Sequence, residues 1–394
     1  MRSKSVLVSK AVENRLLKAG PHGPAFLCSC HLSRHKLECR AMKLSVIVPI
    51  YNEIDQLPHF FEMLSAQISI DLELIIVDGG SNDGSVEWVQ QKKSGYKWSV
   101  CLVQGEKGRA RQLNAGASQS FSETLLFLHI DSYFDDHQAL FNGLTALESE
   151  ISAQGSDRIA GHFRLKFTRS DNTSRFGYYF WECKARLDRH ECTHGDQGFL
   201  LRKSFFEEVG PFDNDVPIAE DTRLAERIRA GGSWMLLPVV IWTSARRFEV
   251  EGLRERQTLN ALIMNFTAIG WDVFFEQVKD VYKNQSDSEK LDMMAFFALI
   301  DRLNREASFS QRLSTWYKTG VYVRPNAWQL AFLKDIKVNF ARQVPVDDVI
   351  LNNLAFHDRW FDRLTNNLIG KCIAMVGTWV WYRLTVRYFS RQES

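Results

Sequence analysis

An α/β fold, with a mostly parallel sheet flanked by helices and followed by a helical C-terminal region, is predicted by three strand-to-turn junctions in the first third of the chain. Leu44 to Glu53, Glu73 to Ser85 and Leu125 to Ser132 are apolar runs that stop at polar or glycine-rich turn residues. Behind the first, Leu57, Phe60, Phe61 and Leu64 recur at helical spacing, with Pro58 suited to a first turn. Behind the second, Ser85 is positioned as the N-cap of a helix starting near Val86. Strand, turn and helix in alternation imply parallel strands with right-handed crossovers, and near-continuous apolar strands fit burial on both faces. The third run ends abruptly at Asp131. It reads as a buried strand delivering a carboxylate to the crevice where open α/β sheets bind ligands. Taken alone, a carboxylate capping the next turn is the competing account.

Further along, Lys107, Arg109 and Arg111 stand around Gly108 just before an alanine-rich helix. Cations there oppose the helix dipole unless an anion is also bound, so the stretch is either a diphosphate site or a solvated basic turn. Glu220 and Asp221 open a helix that Gly231-Gly232 stops, and acids in a first turn suit the dipole in any case. Asp196 sits in a glycine-flanked turn before another apolar strand, either as a site residue or as a turn-stabilising side chain.

In order, Pro49-x-Tyr51-Asn52-Glu53, Val77-Asp78-Gly79-Gly80-Ser81-x-Asp83-Gly84-Ser85, Gly108 to Gly116, His129-Ile130-Asp131-Ser132, Gly195-Asp196-Gln197-Gly198 and Glu220-Asp221 resemble a family 2 glycosyltransferase with the GT-A fold. The likeness is greatest to a bacterial subgroup with His-x-Asp in place of Asp-x-Asp, and it covers roughly residues 43 to 285. It implies transfer of a sugar from a nucleotide-sugar donor, a UDP-sugar by preference, with inversion. It also implies a Mg²⁺ or Mn²⁺ ion, since a departing diphosphate needs its charge stabilised. Such ions keep several waters and take only one or two protein carboxylates, so Asp131 alone can start a site. By the same resemblance Asp78 contacts the nucleotide base, and Pro49 and Tyr51 wall the base pocket. Arg109 contacts the donor, and Glu53, Gly80 and Asn114 join the donor set. Asp221 is the general base with Glu220 beside it, while Asp196 and Gln197 touch the acceptor or the donor sugar. Two positions depart from the family pattern. His129 replaces the first acid of Asp-x-Asp and is either a hydrogen-bond donor to the ligand or a satisfied strand-end histidine. Gly79 stands where many relatives carry a second Asp.

With 394 residues and 45% hydrophobic content the chain exceeds one ordinary domain, and a net charge of +2 gives no reason to expect nucleic acid. Seven scattered cysteines argue against a disulfide framework and for a reducing, cytoplasmic setting. Residues 1–41 form a basic leader without the apolar core of a secretory signal, expected to be disordered or a mis-assigned start ahead of Met42. Within it Cys28, Cys30, His31, His35 and Cys39 could ligate zinc, although their spacing fits no common finger. The catalytic domain is expected over 42–285 and a helical region over 286–394. In the latter, the run Cys372 to Tyr382, followed by Arg383, Arg387 and Arg391, is too short to span a bilayer and reads as a buried or an interfacial helix. A peripheral contact with the inner face of the cell membrane is therefore an option, and the acceptor is open among lipid, glycan and small molecule. The Gln-x-x-Arg-Trp motif of processive synthases is absent. Two other classes compete: a nucleotide- or sugar-binding protein that has lost turnover, and a membrane-associated scaffolding protein.

Overall fold

The computed structural model describes residues 42–170, 175–215, 219–283 and 290–392. The basic leader, with its cysteine and histidine set, lies outside the described residues. The α/β part runs β1 (Met42–Ile50), α1 (Leu57–Ser65), β2 (Ile70–Asp78), α2 (Ser85–Lys92), β3 (Ser99–Gln104), α3 (Arg109–Gln119), β4 (Thr124–Phe127), α4 (Ala139–Gln154), β5 (Ile159–Thr168), α5 (Phe176–Lys184), β6 (Phe199–Arg202), α6 (Lys203–Val209), α7 (Glu220–Gly231) and β7 (Ser233–Ser244). The seven strands form one sheet in the order β3-β2-β1-β4-β6-β5-β7. β1 to β4 are parallel, β6 is antiparallel to both its neighbours, and β5 and β7 are parallel. The chain leaves β1 toward β2 on one side and later returns to place β4 on the other. Strand order reverses there, which opens a crevice beyond the carboxyl ends of β1 and β4.

The pleat explains why the strands read as continuous apolar runs. Leu44, Val46, Val48 and Ile50 of β1 face a core completed by α1 and α4, whereas Ile47 faces a second core under α3, α6 and α7. α1 buries Leu57, Phe60, Phe61 and Leu64 with Pro58 in its first turn, as the spacing predicts.

Two local expectations change. Ser85 is the first residue of α2 and not its cap: the cap position belongs to Gly84 at φ 93°, and the Ser85 hydroxyl accepts the Glu53 N–H at 3.1 Å. β4 stops at Phe127, four residues short of Asp131, because its partner β6 begins at Phe199 after Gly198 turns into the left-handed region at φ 63°. Asp131 is therefore carried on a turn, closed by the Ser132 N–H donating to the His129 carbonyl at 3.1 Å.

Every described element after β7 is helical: α8 (Arg246–Glu251), α9 (Leu253–Ile269), α10 (Asp272–Lys283), α11 (Met293–Glu306), α12 (Phe309–Val323), α13 (Trp328–Ala341), α14 (Asn352–Phe356), α15 (Asp362–Thr365) and α16 (Leu368–Ser390). The helices thus begin at Arg246, ahead of residue 286. Leu259, Phe266, Phe274, Phe296, Phe297, Tyr382 and Phe389 share one core, so α9, α10, α11 and α16 pack as one layer. No described helix is long and apolar enough to cross a membrane.

Helix α3 lies very close to the sheet at Gly116, where a Cβ would fall 2.4 Å from Cγ2 of Ile47 and 3.0 Å from Cγ2 of Val77. Alanine ordinarily stabilises a helix interior by up to about 1 kcal/mol relative to glycine. Here overpacking of buried strand side chains outweighs that gain. Gly116→Ala is expected to lower stability by about 1–3 kcal/mol, read as a reduced urea midpoint with an unchanged slope.

Candidate active site

The crevice beyond β1 and β4 is one wall of a large cavity of about 2110 Å³. Pro49, Glu53, Arg109, His129, Asp131, Asp196, Glu220 and Asp221 line it, so residues from five separate motifs meet there. The opposite wall comes from the helical layer, including Trp316 of α12 and Gly377 of α16.

Three carboxylates set its electrostatics. Asp196, in the turn before β6, is half-buried, and its buried Oδ1 has no hydrogen-bond partner among the described residues. Burial, with the charges of Asp221 and Asp131 added, pushes its pKa up to about 7 from an ordinary 3.8. Asp221, in the first turn of α7, goes the other way. Burial alone would raise it, but His194, the Gly195 N–H, Arg109 and the Thr222 N–H together hold it below the usual aspartate value. Its Oδ2 accepts the Gly195 N–H at 2.7 Å and its Oδ1 accepts the Thr222 N–H at 2.7 Å. Gly195 permits this approach, because a Cβ there would lie 3.0 Å from His129 Nε2 and 3.1 Å from Asp221 Oδ2. Glu220 is buried and its pKa is raised by burial and by Asp221, against the pull of Arg109. Arg109, the first residue of α3, donates to Glu220 Oε1 at 3.3 Å while its side chain stays half exposed to the cavity.

His129 is held down to about 4, by burial first and by Arg109 second, so its imidazole is neutral near pH 7. Glu53 is raised by burial, and the arginine nearest it in charge is Arg246. Lys107 lies 3.5 Å over the ring of Tyr51, a half-exposed aromatic beside the crevice.

Several expected site residues stand elsewhere. Asp78 is buried, and its carboxylate accepts the Gly80 N–H at 2.9 Å and the Ser81 N–H at 3.1 Å; both it and Gly80 belong to a self-bonded turn off the cavity wall. A base contact from Asp78 would have to exchange those bonds. Asn114 is not among the residues lining the cavity; its amide clamps Phe212, donating to the Phe212 carbonyl at 2.8 Å and accepting the Phe212 N–H at 2.9 Å. Gln197 is buried and donates to the Cys192 carbonyl at 2.8 Å. Beneath the crevice Gln112 ties two strand ends together, donating to the carbonyls of Ile50 at 2.8 Å and Val77 at 2.7 Å. A Cβ on Gly79 would come within 3.1 Å of that amide.

Three residues join the site that sequence reasoning had not singled out. His194 bonds Thr222 Oγ1 at 3.1 Å beneath Asp221, and Arg246 reaches the cavity from the end of β7. Thr222 completes the Asp221 cradle. His194 directly precedes the Gly195-Asp196 motif, a signal that was legible; Arg246 is one arginine among many and gave none.

Residues 45–210 match the family described as "Glycosyl transferase family 2". The glycosyltransferase AglE of Haloferax volcanii is 27% identical over 195 residues, covering 48% of this chain and 62% of that protein. An uncharacterized glycosyltransferase of Haemophilus influenzae is 40% identical over 93 residues, covering 23% of this chain and 30% of that protein. The chain thus matches less than two thirds of the length of either relative. Among solved structures, the mannosyltransferase PcManGT from Pyrobaculum calidifontis, in complex with GDP-Man and Mn²⁺, aligns with a TM-score of 0.44 at 17% identity over 86% of this chain and 88% of that one. The matched segment runs from β1 to the end of α6 and holds the crevice with Asp131 and Asp196. The family match thus lies within the α/β part of the chain, over residues 45–210.

Proposed function

We propose that the chain is a glycosyltransferase that moves one sugar from a nucleotide-sugar donor, a UDP-sugar by preference, to an acceptor hydroxyl with inversion. The observation that carries this reading is the single cavity in which Asp131, Asp196 and Asp221 face Arg109 at the start of α3. In a single displacement the acceptor oxygen bonds to the anomeric carbon as the carbon–oxygen bond to the diphosphate breaks. The electron pair leaves with the nucleoside diphosphate, and the acceptor proton passes to a base. We assign that base to Asp221, which stays ionised near neutral pH and whose backbone bonds fix its carboxylate. Arg109 and the N–H groups of the first turn of α3 form the natural seat for the diphosphate. Glu220 steadies the Arg109 guanidinium.

The residues also fit a divalent cation. The cavity offers carboxylate oxygens, and Asp196 is pushed up by burial first and then by the neighbouring charges of Asp221 and Asp131, which the pull of Arg109 does not offset. Among the described residues no three candidate ligands converge, which leaves most coordination positions to phosphate and water, as Mg²⁺ or Mn²⁺ prefers. Asp131 would hold the ion, and its charge would ease departure of the diphosphate. The reading includes a peripheral membrane contact through the helical region.

Asp131→Asn is expected to weaken Mn²⁺-dependent binding of UDP by at least about tenfold in calorimetry, a loss of about 1.4 kcal/mol, and to leave metal-free binding alone. Unchanged Mn²⁺-dependent affinity would remove Asp131 from the role. Asp221→Asn should lower transfer by about a hundredfold to ten-thousandfold with donor binding retained, and Glu220→Gln should cost less. Parent-like turnover in Asp221→Asn would move the base to Asp196.

Asp196 also predicts a pH dependence. Its folded pKa of about 7 lies above the ordinary 3.8, so between these values the folded chain keeps a proton that the unfolded chain has released. Stability from this group is therefore full at low pH and falls as pH rises through about 7. Asp196→Asn should raise the melting temperature more at pH 8 than at pH 5, and an equal shift at both would contradict the assigned environment.

A further inference from the structure

Helices α14 to α16 present an apolar face that nothing in the described chain covers. Twelve large apolar side chains between Phe356 and Leu384 are exposed, among them Trp360, Leu364, Ile369, Ile373, Trp379 and Leu384. On α16 the residues Ile369, Ile373, Val376, Val380, Leu384 and Arg387 follow spacings of three and four, which aligns them along one stripe. The opposite side of the same helix packs inward through Gly370, Tyr382 and Phe389, with the Tyr382 hydroxyl donating to Asp301 at 2.8 Å. A contiguous patch of this kind on a folded chain marks an interaction surface.

Charge decides what covers it. From residue 352 to 392 the chain has six cations, Arg359, Arg363, Lys371, Arg383, Arg387 and Arg391, and only two acids. Both acids are paired with arginines from outside this segment. Asp362 accepts from buried Arg324 at 2.8 Å, and Asp358 pairs with Arg189. Arg359, Arg363, Arg383 and Arg387 remain exposed around the apolar stripe. A second copy would bring six like charges against six. Residues 1–41 carry eight Lys or Arg and two acids, so the leader is repelled as well. An anionic surface complements the patch. Tryptophans beside arginines around an apolar stripe are the composition that rests at the headgroup level of a bilayer.

We propose that the face formed by α14, α15 and α16 seats on an anionic lipid bilayer, with its apolar stripe among the upper acyl chains and its arginines at the phosphates. This deepens the peripheral contact included in the functional reading by naming its residues and its lipid charge. Gly377 and Trp381 of α16 also line the cavity that holds Asp131 and Asp221. The seat and the candidate active site therefore share a helix.

Co-sedimentation of the full chain with vesicles tests the proposal, using phosphatidylglycerol mixed into phosphatidylcholine against phosphatidylcholine alone. Binding is expected with the anionic vesicles only and should fall as salt rises. Arg363→Gln and Arg383→Gln should each weaken it about fivefold, the equivalent of about 1 kcal/mol per surface cation. The double variant Ile369→Glu with Leu384→Glu, at side chains 71% and 62% exposed, should lose it more than tenfold while melting and binding UDP as the parent does. Equal sedimentation with both vesicle types overturns the proposal. So does a concentration-dependent dimer that the double variant abolishes, or vesicle binding that the double variant keeps but that vanishes when the Lys and Arg of residues 1–41 become Gln. The measurement needs no turnover, so a failure here leaves the sugar-transfer reading standing, and an inactive enzyme that binds vesicles leaves this one standing.

Discussion

The parallel register of β1 between β2 and β4 fixes where the charged groups of this molecule can stand. Ile47 pairs with Ile75 on one side and with Phe127 on the other, so β1 and β2 end opposite each other at Ile50 and Asp78 while β4 stops three residues earlier, opposite Ile47. Parallel strands also point their following turns the same way, and the turns carrying Glu53 and Asp131 are thereby delivered to a common crevice. Were β4 antiparallel to β1, Asp131 would emerge at the far edge of the sheet. The two cores on either face of β1 hold this register, because a one-residue slip would exchange Val46 and Val48 with Ile47 between cores of different shape.

Within that crevice the same burial acts differently on neighbouring acids. Asp221 receives two backbone N–H bonds and stays anionic, whereas Asp196 has a carboxylate oxygen with no donor and keeps its proton to about pH 7. Desolvation is common to both, so the neighbouring charges and the hydrogen bonds together decide the outcome: His194, Arg109 and two N–H groups lower Asp221, while Asp221 and Asp131 raise Asp196. A cavity holding several acids without equal compensation is poised for a cationic or proton-carrying ligand. That is more informative than the presence of acids alone, since acids in a first helical turn, as at Glu220 and Asp221, are ordinary.

Much of this arrangement was legible in the sequence. Strand periodicity and turn residues marked β1 and β2, and Leu57, Phe60, Phe61 and Leu64 marked α1, because local pattern and tertiary burial agree there. The strand end before Asp131 was misjudged because ladder length depends on β6, a partner more than seventy residues away. Ser85 misled for a related reason: its hydroxyl is taken by the Glu53 N–H from another motif, so a local capping rule yielded to a long-range bond. Asp78 and Asn114 also hold the scaffold through hydrogen bonds, a role that composition alone does not reveal. Arg246 was invisible because only the path of β7 brings it to the cavity.

The contact between Gly79 and Gln112 carries a consequence for how this crevice can change. The Gln112 amide bridges Ile50 and Val77, and any side chain at residue 79 begins 3.1 Å from it. A side chain at residue 79 would press on this amide, which must give by a few tenths of an ångström while it stays bonded to two buried carbonyls. Residues 79 and 112 are thus coupled in packing, and a side chain at residue 79 fits only as far as the Gln112 amide can shift with both carbonyls still bonded.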